Sequence, residues 1–279
     1  MAGNFVQLHN HTHYSLLDGA SKVPDLVKRV KELGMPAVGI TDHGNMHGAY
    51  ELWRAAVDSG VKPIIGIEAY VTPETARQDK TRVSWDTNWT PVPGHARNPD
   101  DVSGGGLITH LTMWAENDEG LVNLIKASSV ANLEGRVMRY PRMDKEVLST
   151  YSKGVIASSG CPSGIIQTRL RLGQFDEALR AAGEFQDIFG KDNFYIELMD
   201  HGLSIESKVT GDLLTIAKKL GAPLLATNDS HYVMEADKDA QDAMLCINSG
   251  ATLDDPNRFK FEGSGYYIKS AEEMRELFK

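Results

Sequence analysis

Two cysteines in 279 residues, Cys161 and Cys246, exclude a disulfide framework and point to a reducing compartment. No run of about 18 apolar residues occurs, so nothing reads as a membrane span. The first residues, MAGNFVQLHNH, lack the charged and apolar regions of a signal peptide, and the expectation is a cytoplasmic protein. Basic charge is in short supply. Lys and Arg number 29 against 38 Asp and Glu, a net charge of −9, which argues against a free-standing nucleic-acid binder. A phosphate substrate is still allowed, because bound metal ions would supply positive charge where it is needed. A DNA substrate would require affinity borrowed from a neighbouring domain. There is no phosphate-cradling GxxxxGK[ST] and no Rossmann glycine fingerprint. Internal repeats and low-complexity segments are also lacking.

Short apolar runs alternate with longer amphipathic ones. This is the signature of βα units and a mostly parallel sheet. The expected strands cover residues 5–9, 37–41, 62–71, 107–116, a run from 154, 194–199 and 223–227. The expected helices cover residues 24–33, 47–59, 118–131, 163–172, 175–189, 204–220 and 237–248. The pattern breaks at 72–106, a stretch rich in Pro, Asp, Asn, Thr and Gly. So long a stretch without periodicity reads as a functional loop or a mobile insertion. Residues 1–249 form the expected barrel domain. The tail, 250–279, has no place in the strand count and reads as a linker. Its runs RFKF and YYIK precede a last helix that the chain end cuts short, as in a fragment of a longer protein.

Residues able to bind metal recur at the ends of these strands: His9, His11, Asp18, His43, Glu68, His110, Cys161, Asp229 and His231. A barrel gathers ligands from distant sequence at the C-terminal rim of its strands in this way. So many His and carboxylate groups imply more than one ion, and clustered ions suit phosphate-ester hydrolysis. His9 and His11, like Asp229 and His231, are two apart and share a strand face. Glu68 lies inside the apolar run IIGIEAYV, where an unpaired carboxylate would be costly. A metal is one partner for it, and an ion pair is the other. His43 is favoured as a ligand over its neighbour Asp42, which would anchor it. Asp18, in SLLDG, could equally cap a turn. His110 could be a core histidine bonded to backbone. Cys161 could be a small buried hydrophobe, but its strand-end position favours a thiolate ligand over a nucleophile.

His13, His47, His95 and Cys246 read as surface or packing residues. Asp200 and His201 follow a strand on the same rim and are candidates for substrate contact; Asn228 and Ser230 could help too, with little in the sequence to support it. Arg136, Arg139, Arg142, Arg169 and Arg171 could steer a phosphodiester backbone, although a solvated helix face explains such charges more often.

The segments HNH, TDHGN, the strand Glu, a late His, a Cys and NDSH resemble the PHP (polymerase and histidinol phosphatase) superfamily. LHNHTHYSLLDGA, LGMPAVGITDHGNM, KPIIGIEAYV, ASSGCPSG, TRLRLGQ, NFYIELMDHGL and DPNRFKFEGSGYYIKSAEEM are similar, in order, to the N-terminal region of bacterial replicative DNA polymerase III alpha subunits, above all the actinobacterial form. The resemblance implies a distorted (β/α)7 barrel, TIM-barrel-like, with two or three divalent ions (zinc, manganese or iron). It implies one ion on His9, His11, Glu68 and Asp229, a second on Glu68, His110 and Cys161, and a third on Asp18, His43 and His231. Asp18, His43, Glu68 and Asp229 would be catalytic. The implied activity is a proofreading 3′→5′ exonuclease on the DNA 3′ end of the primer strand. The implied partners are the remaining polymerase domains of the same chain and other replisome subunits. The alternatives are a histidinol-phosphatase-like phosphomonoesterase and a metal-stabilised, non-catalytic scaffold.

Overall fold

A computed structural model describes residues 5–90, 98, 100–101 and 104–279. His95 lies outside the described residues, as does part of the 72–106 stretch. The chain divides into two compact units. The first holds the residues up to Ile67, Met199–Leu203 and Ala226–Lys279. The second holds Glu68–Leu198 and Ser204–Leu225. Among the described residues, no helix is long and apolar enough to cross a membrane.

In the first unit, helix α1 (Val23–Glu32) has Pro24 in its opening turn, where a missing N–H costs nothing. It buries Val23, Leu26, Val27 and Val30, one stripe at helical spacing. That stripe packs with Val38 and Ile40 of β1 (Ala37–Ile40) and with Leu52 and Ala56 of α2 (Ala49–Ser59). Strand β1 pairs in parallel with the start of β2 (Lys62–Val71), from Ala37 opposite Lys62 to Ile40 opposite Ile65. The expected first strand, 5–9, forms no ladder. It is held by Gly39 N–H to Gln7 O (2.9 Å), Thr41 N–H to Asn10 O (2.9 Å) and an isolated bridge between Asn10 and Ser230.

Gly39 explains how that segment lies so close. A Cβ there would sit 2.5 Å from the Leu8 carbonyl oxygen. Gly39→Ala must push back the backbone that presents His9 and His11. It is expected to cost about 1–3 kcal/mol in urea denaturation. An unchanged midpoint would contradict this account of the segment.

The tail is built into the first unit. Ile268 is fully buried in the α1/α2 core. His231 N–H donates to Tyr266 O at 2.8 Å, and Tyr232 bridges Tyr267. Helix α8 (Lys238–Ser249) precedes the tail, and the last helix, α9, covers Ala271–Leu277.

The second unit adds, in chain order, β3 (Thr109–Ala115), α3 (Asp118–Glu134), β4 (Arg136–Val137), β5 (Tyr140–Met143), α4 (Lys145–Thr150), β6 (Val155–Ser158), α5 (Ile165–Arg171), α6 (Phe175–Phe189), β7 (Phe194–Leu198), α7 (Ser204–Leu220) and β8 (Leu224–Ala226). Strand order is β4-β5-β2-β3-β6-β7-β8, and hydrogen-bonded pairing among the described residues does not close on itself. The α/β class is the one the pattern implied. The mostly parallel expectation holds for β1–β2, β2–β5 and β6–β7, while the β4–β5 hairpin and the β3–β6 pair are antiparallel, the latter from Thr112 opposite Ser158 to Ala115 opposite Val155. The connection between them carries the β4–β5 hairpin and a second helix. The rule that makes βαβ neighbours parallel therefore does not govern it.

The described part of 72–106 is tied down by arginines. Arg142 is fully buried, and its guanidinium donates to Arg77 O and Asp79 O at 2.6 Å and to Leu107 O at 3.3 Å. Glu74, in the left-handed region at φ 63°, accepts from Arg169 at 2.5 Å and Arg180 at 2.7 Å. Arg169 lies over the Trp85 ring at 4.2 Å. Arg171 reaches Asp100 O at 3.3 Å, and Lys208 pairs with the Asp100 carboxylate at 2.5 Å. These arginines are occupied within the protein.

Burial would raise the Glu74 carboxyl above its ordinary value, but Arg180 and Arg169 outweigh it and hold the pKa below 4.5. Because the folded value is the lower one, the ion pairs stabilise fully above pH 4.5 and lose that contribution as pH falls through the folded value. The stability gap between the parent and Glu74→Gln should therefore be constant near neutrality and shrink below pH 4.5. A gap independent of pH down to pH 3 would show that Glu74 acts only through shape.

Candidate metal sites

Six of the nine candidate ligands come together in the first unit. His9 and His11 are fully buried, with Nε2 atoms 3.3 Å and 3.1 Å from one Asp229 oxygen. Ring centroids of His11 lie 4.1 Å from His43 and 4.3 Å from His231. Asp18 Oδ2 is 2.8 Å from His43 Nε2 and 3.7 Å from His231 Nε2. Two sets emerge with ligand atoms all within 4.8 Å: His9, His11 and Asp229, and His11, His43 and His231. His11 belongs to both.

Hydrogen bonds fix which nitrogens can serve. Ser15 donates its hydroxyl proton to Asp42 Oδ1 at 2.7 Å. Toward His11 Nδ1, at 2.9 Å, Ser15 Oγ is then the acceptor, so Nδ1 carries the proton and Nε2 presents a lone pair. That lone pair faces the Asp229 carboxylate at 3.1 Å. His231 repeats the device. Its Nδ1–H donates to the Asp229 carbonyl at 2.7 Å, which leaves Nε2 as the lone-pair atom. Among the described residues, neither His231 Nε2 nor Asp18 Oδ1, both buried, makes a hydrogen bond. Opposed acceptors and buried unsatisfied ones are costly unless a cation lies between them, so this donor set fits divalent metal.

Electrostatics point the same way. Burial, with His43 and His231 nearby, lowers His11 to about 3, so it is neutral at pH 7. Burial would raise Asp18, but His231 and His43 outweigh it and hold the carboxyl well below its usual range. Asp229 is lowered likewise, burial being overcome by His9, His231 and His11. His231 runs the other way: burial would lower it, but Asp229 and Asp18 prevail and raise it, so a proton on Nε2 competes with a metal ion there. Asp229 also sits in the left-handed region at φ 43°. Asp tolerates this conformation better than most residues, and strain of this kind gathers at functional sites.

The other three candidate ligands come together in the second unit. Glu68 is fully buried in β2, with Oε2 at 3.1 Å from His110 Nδ1. Cys161 Sγ lies 3.4 Å from the same nitrogen. His110 N–H donates to Ser163 O at 3.1 Å, drawing the loop after β6 alongside β3. Two oxygens, an imidazole and a sulfur make a donor set suited to zinc.

Asp42 acts at one remove. It accepts from Thr12 N–H at 2.7 Å as well as from Ser15, and Ser15 in turn accepts His43 N–H at 3.1 Å. Asp200 caps Gly202 N–H, and His201 stacks on Tyr266 at 4.0 Å with Nε2 2.9 Å from Asn228 O. His47 is exposed and Cys246 buried. Sequence reasoning did not find Ser15 or Thr12, although a hydroxyl between two histidines of one turn is a usable signal. It gave little weight to Asn228. The side chain of Asn228 donates to Gly265 O and Tyr267 O, both at 2.8 Å, and accepts from Lys269 at 2.7 Å, fastening the tail beneath Asp229.

Residues 7–201 match the PHP domain family. The chain is 53% identical over 275 residues to a DNA polymerase III subunit alpha of Mycobacterium leprae, covering 99% of this chain and 23% of that one. The Saccharopolyspora erythraea subunit is 54% identical over 274 residues, covering 98% and 23%. The chain thus spans less than a quarter of the length of these relatives. Among solved structures, an amidohydrolase from Chromobacterium violaceum with bound sulfate and no metal overlays with a TM-score of 0.48 at 14% identity, over 82% of this chain and 88% of that one.

Proposed function

The chain belongs to the PHP domain family, and from that premise we propose that it is a metal-dependent 3′→5′ exonuclease domain of a replicative DNA polymerase, hydrolysing the terminal phosphodiester of a primer strand. The observation that carries this reading is the pair of opposed acceptors, His11 Nε2 and Asp229 at 3.1 Å, within a set of imidazoles whose tautomers are already fixed. A non-catalytic packing role has no use for such an arrangement. His9, His11 and Asp229 would hold one ion, and Asp18, His43 and His231 another. Glu68, His110 and Cys161 would be the ligands of the second unit. Bound divalent ions lower the pKa of water and neutralise charge developing on phosphoryl oxygens.

The protein's own groups prepare that chemistry. Ser15 and the Asp229 carbonyl orient the imidazoles of His11 and His231. Asp18 and Asp229, held low by their histidine neighbours, stay ionised throughout the neutral range. The names of the relatives extend the proposal to partners: the remaining polymerase domains of one chain, other replisome subunits and the DNA 3′ end. Product analysis tests the reaction class. With zinc or manganese, a single strand should release nucleoside 5′-monophosphates. Orthophosphate from a 3′-phosphorylated strand, with no mononucleotide, would instead make the domain a phosphomonoesterase.

A further inference from the structure

The RFKF run of the tail is unused by the chemistry above, yet the structure sets it against a metal-ligand candidate. Phe261 meets His231 edge-on at 4.7 Å and packs on Tyr266 at 4.7 Å. Tyr266 is backed by His201, stacked at 4.0 Å, and His201 is fixed by the Asn228 carbonyl at 2.9 Å. Phe259 continues the series outward, 5.9 Å from Phe261, and is 63% exposed. The rings run from a half-buried, hydrogen-bonded His201 to an open aromatic face, all within the first unit. Every other ring in the series has aromatic or polar backing. The outer face of Phe259 is the place where one more ring would fit.

From this we infer that Phe259, supported by Phe261, Tyr266 and His201, is a stacking platform for the terminal nucleobase of a single strand. The inference rests on the exonuclease reading and names what that site recognises. A nucleotide places its base one sugar away from its phosphate. With a base on Phe259, the sugar and phosphate can extend back past Phe261 to the His231 side of the series. Stacking on an aromatic face is indifferent to base identity, as removal of any terminal nucleotide requires. It also supplies affinity that a chain of net charge −9 cannot draw from a basic surface. Arg258 is not available for a backbone phosphate, since both of its terminal nitrogens are paired with Asp242, at 2.5 and 2.6 Å.

The test uses a single strand carrying 2-aminopurine at its 3′ terminus, in chelator and low salt so that no cleavage occurs. Binding should quench the terminal 2-aminopurine and leave an internal one bright. Phe259→Ala should weaken binding about tenfold and abolish the terminal quench, and Phe259→Trp should restore both. A strand ending in a base-free sugar should bind the parent and Phe259→Ala equally. Parental binding and quench in Phe259→Ala would overturn the platform, as would an equal loss on the base-free strand or no terminal quench at all. The two readings fail separately. Terminal quench with no turnover after metal is restored leaves the platform and removes the exonuclease. Turnover of the base-bearing strand by Phe259→Ala at the parental KM removes the platform and leaves the exonuclease.

Discussion

Asp18→Asn is expected to slow cleavage of a single strand by at least about a hundredfold while leaving the folded state intact. Asn has the size of Asp and can still accept from His43 Nε2, 2.8 Å away in the parent. It cannot carry the negative charge, and charge is what a divalent ion beside His43 and His231 requires. The parent carboxyl is held well below its usual range, so the change removes a full charge at any working pH. The fold should tolerate this, because Asp18 is a partly exposed turn residue whose backbone N–H donates to Ser15 O at 3.0 Å regardless of side chain. Bound metal per chain should fall with the rate. Parental turnover in Asp18→Asn would remove Asp18, His43 and His231 from the reaction.

The second large effect is on stability. Arg142→Met should cost about 2–4 kcal/mol in urea denaturation. Met fills much of the same space and avoids desolvating a guanidinium, whose pKa burial already lowers. It leaves the Leu107, Arg77 and Asp79 carbonyls without their shared donor. A buried carbonyl without a partner costs about 1–3 kcal/mol, and the buried Leu107 carbonyl with the partly buried Arg77 and Asp79 carbonyls outweighs the desolvation regained. Protease cleavage between residues 72 and 90 should rise in parallel, because these bonds hold that segment. A loss under about 1 kcal/mol would mean that water replaces the guanidinium, and that the segment is ordered by Glu74 and Trp85 instead.

The legible parts of this molecule are those that short-range periodicity encodes. Helix α1 follows from Pro24 and an apolar stripe, and β2 from a near-continuous apolar run. His9 with His11 follows from alternation along an extended segment, and Glu68 was conspicuous as a charge within that run. The buried roles of Arg142, Arg169 and Arg171 were not legible. A guanidinium looks alike on a solvated helix and beneath a loop, and the loop it fastens, 72–106, has no periodicity of its own. Ser15 was missed for a related reason, since its importance lies in contacts with His11, Asp42 and His43, and the latter two come from 27 and 28 residues away. The tail eluded the strand count because it joins by single bridges and by Ile268 in the core, which leave no ladder-length pattern. Hairpin β4–β5 is too short to announce itself.

The measurement that bears most directly on the central claim is cleavage of a 5′-labelled single strand by this chain, with zinc or manganese present and with the metal stripped. The account predicts a ladder that shortens from the 3′ end, disappears on chelation and returns when the ion is restored. Cleavage that persists after complete metal removal, or no ladder despite a full complement of bound ions, would contradict it.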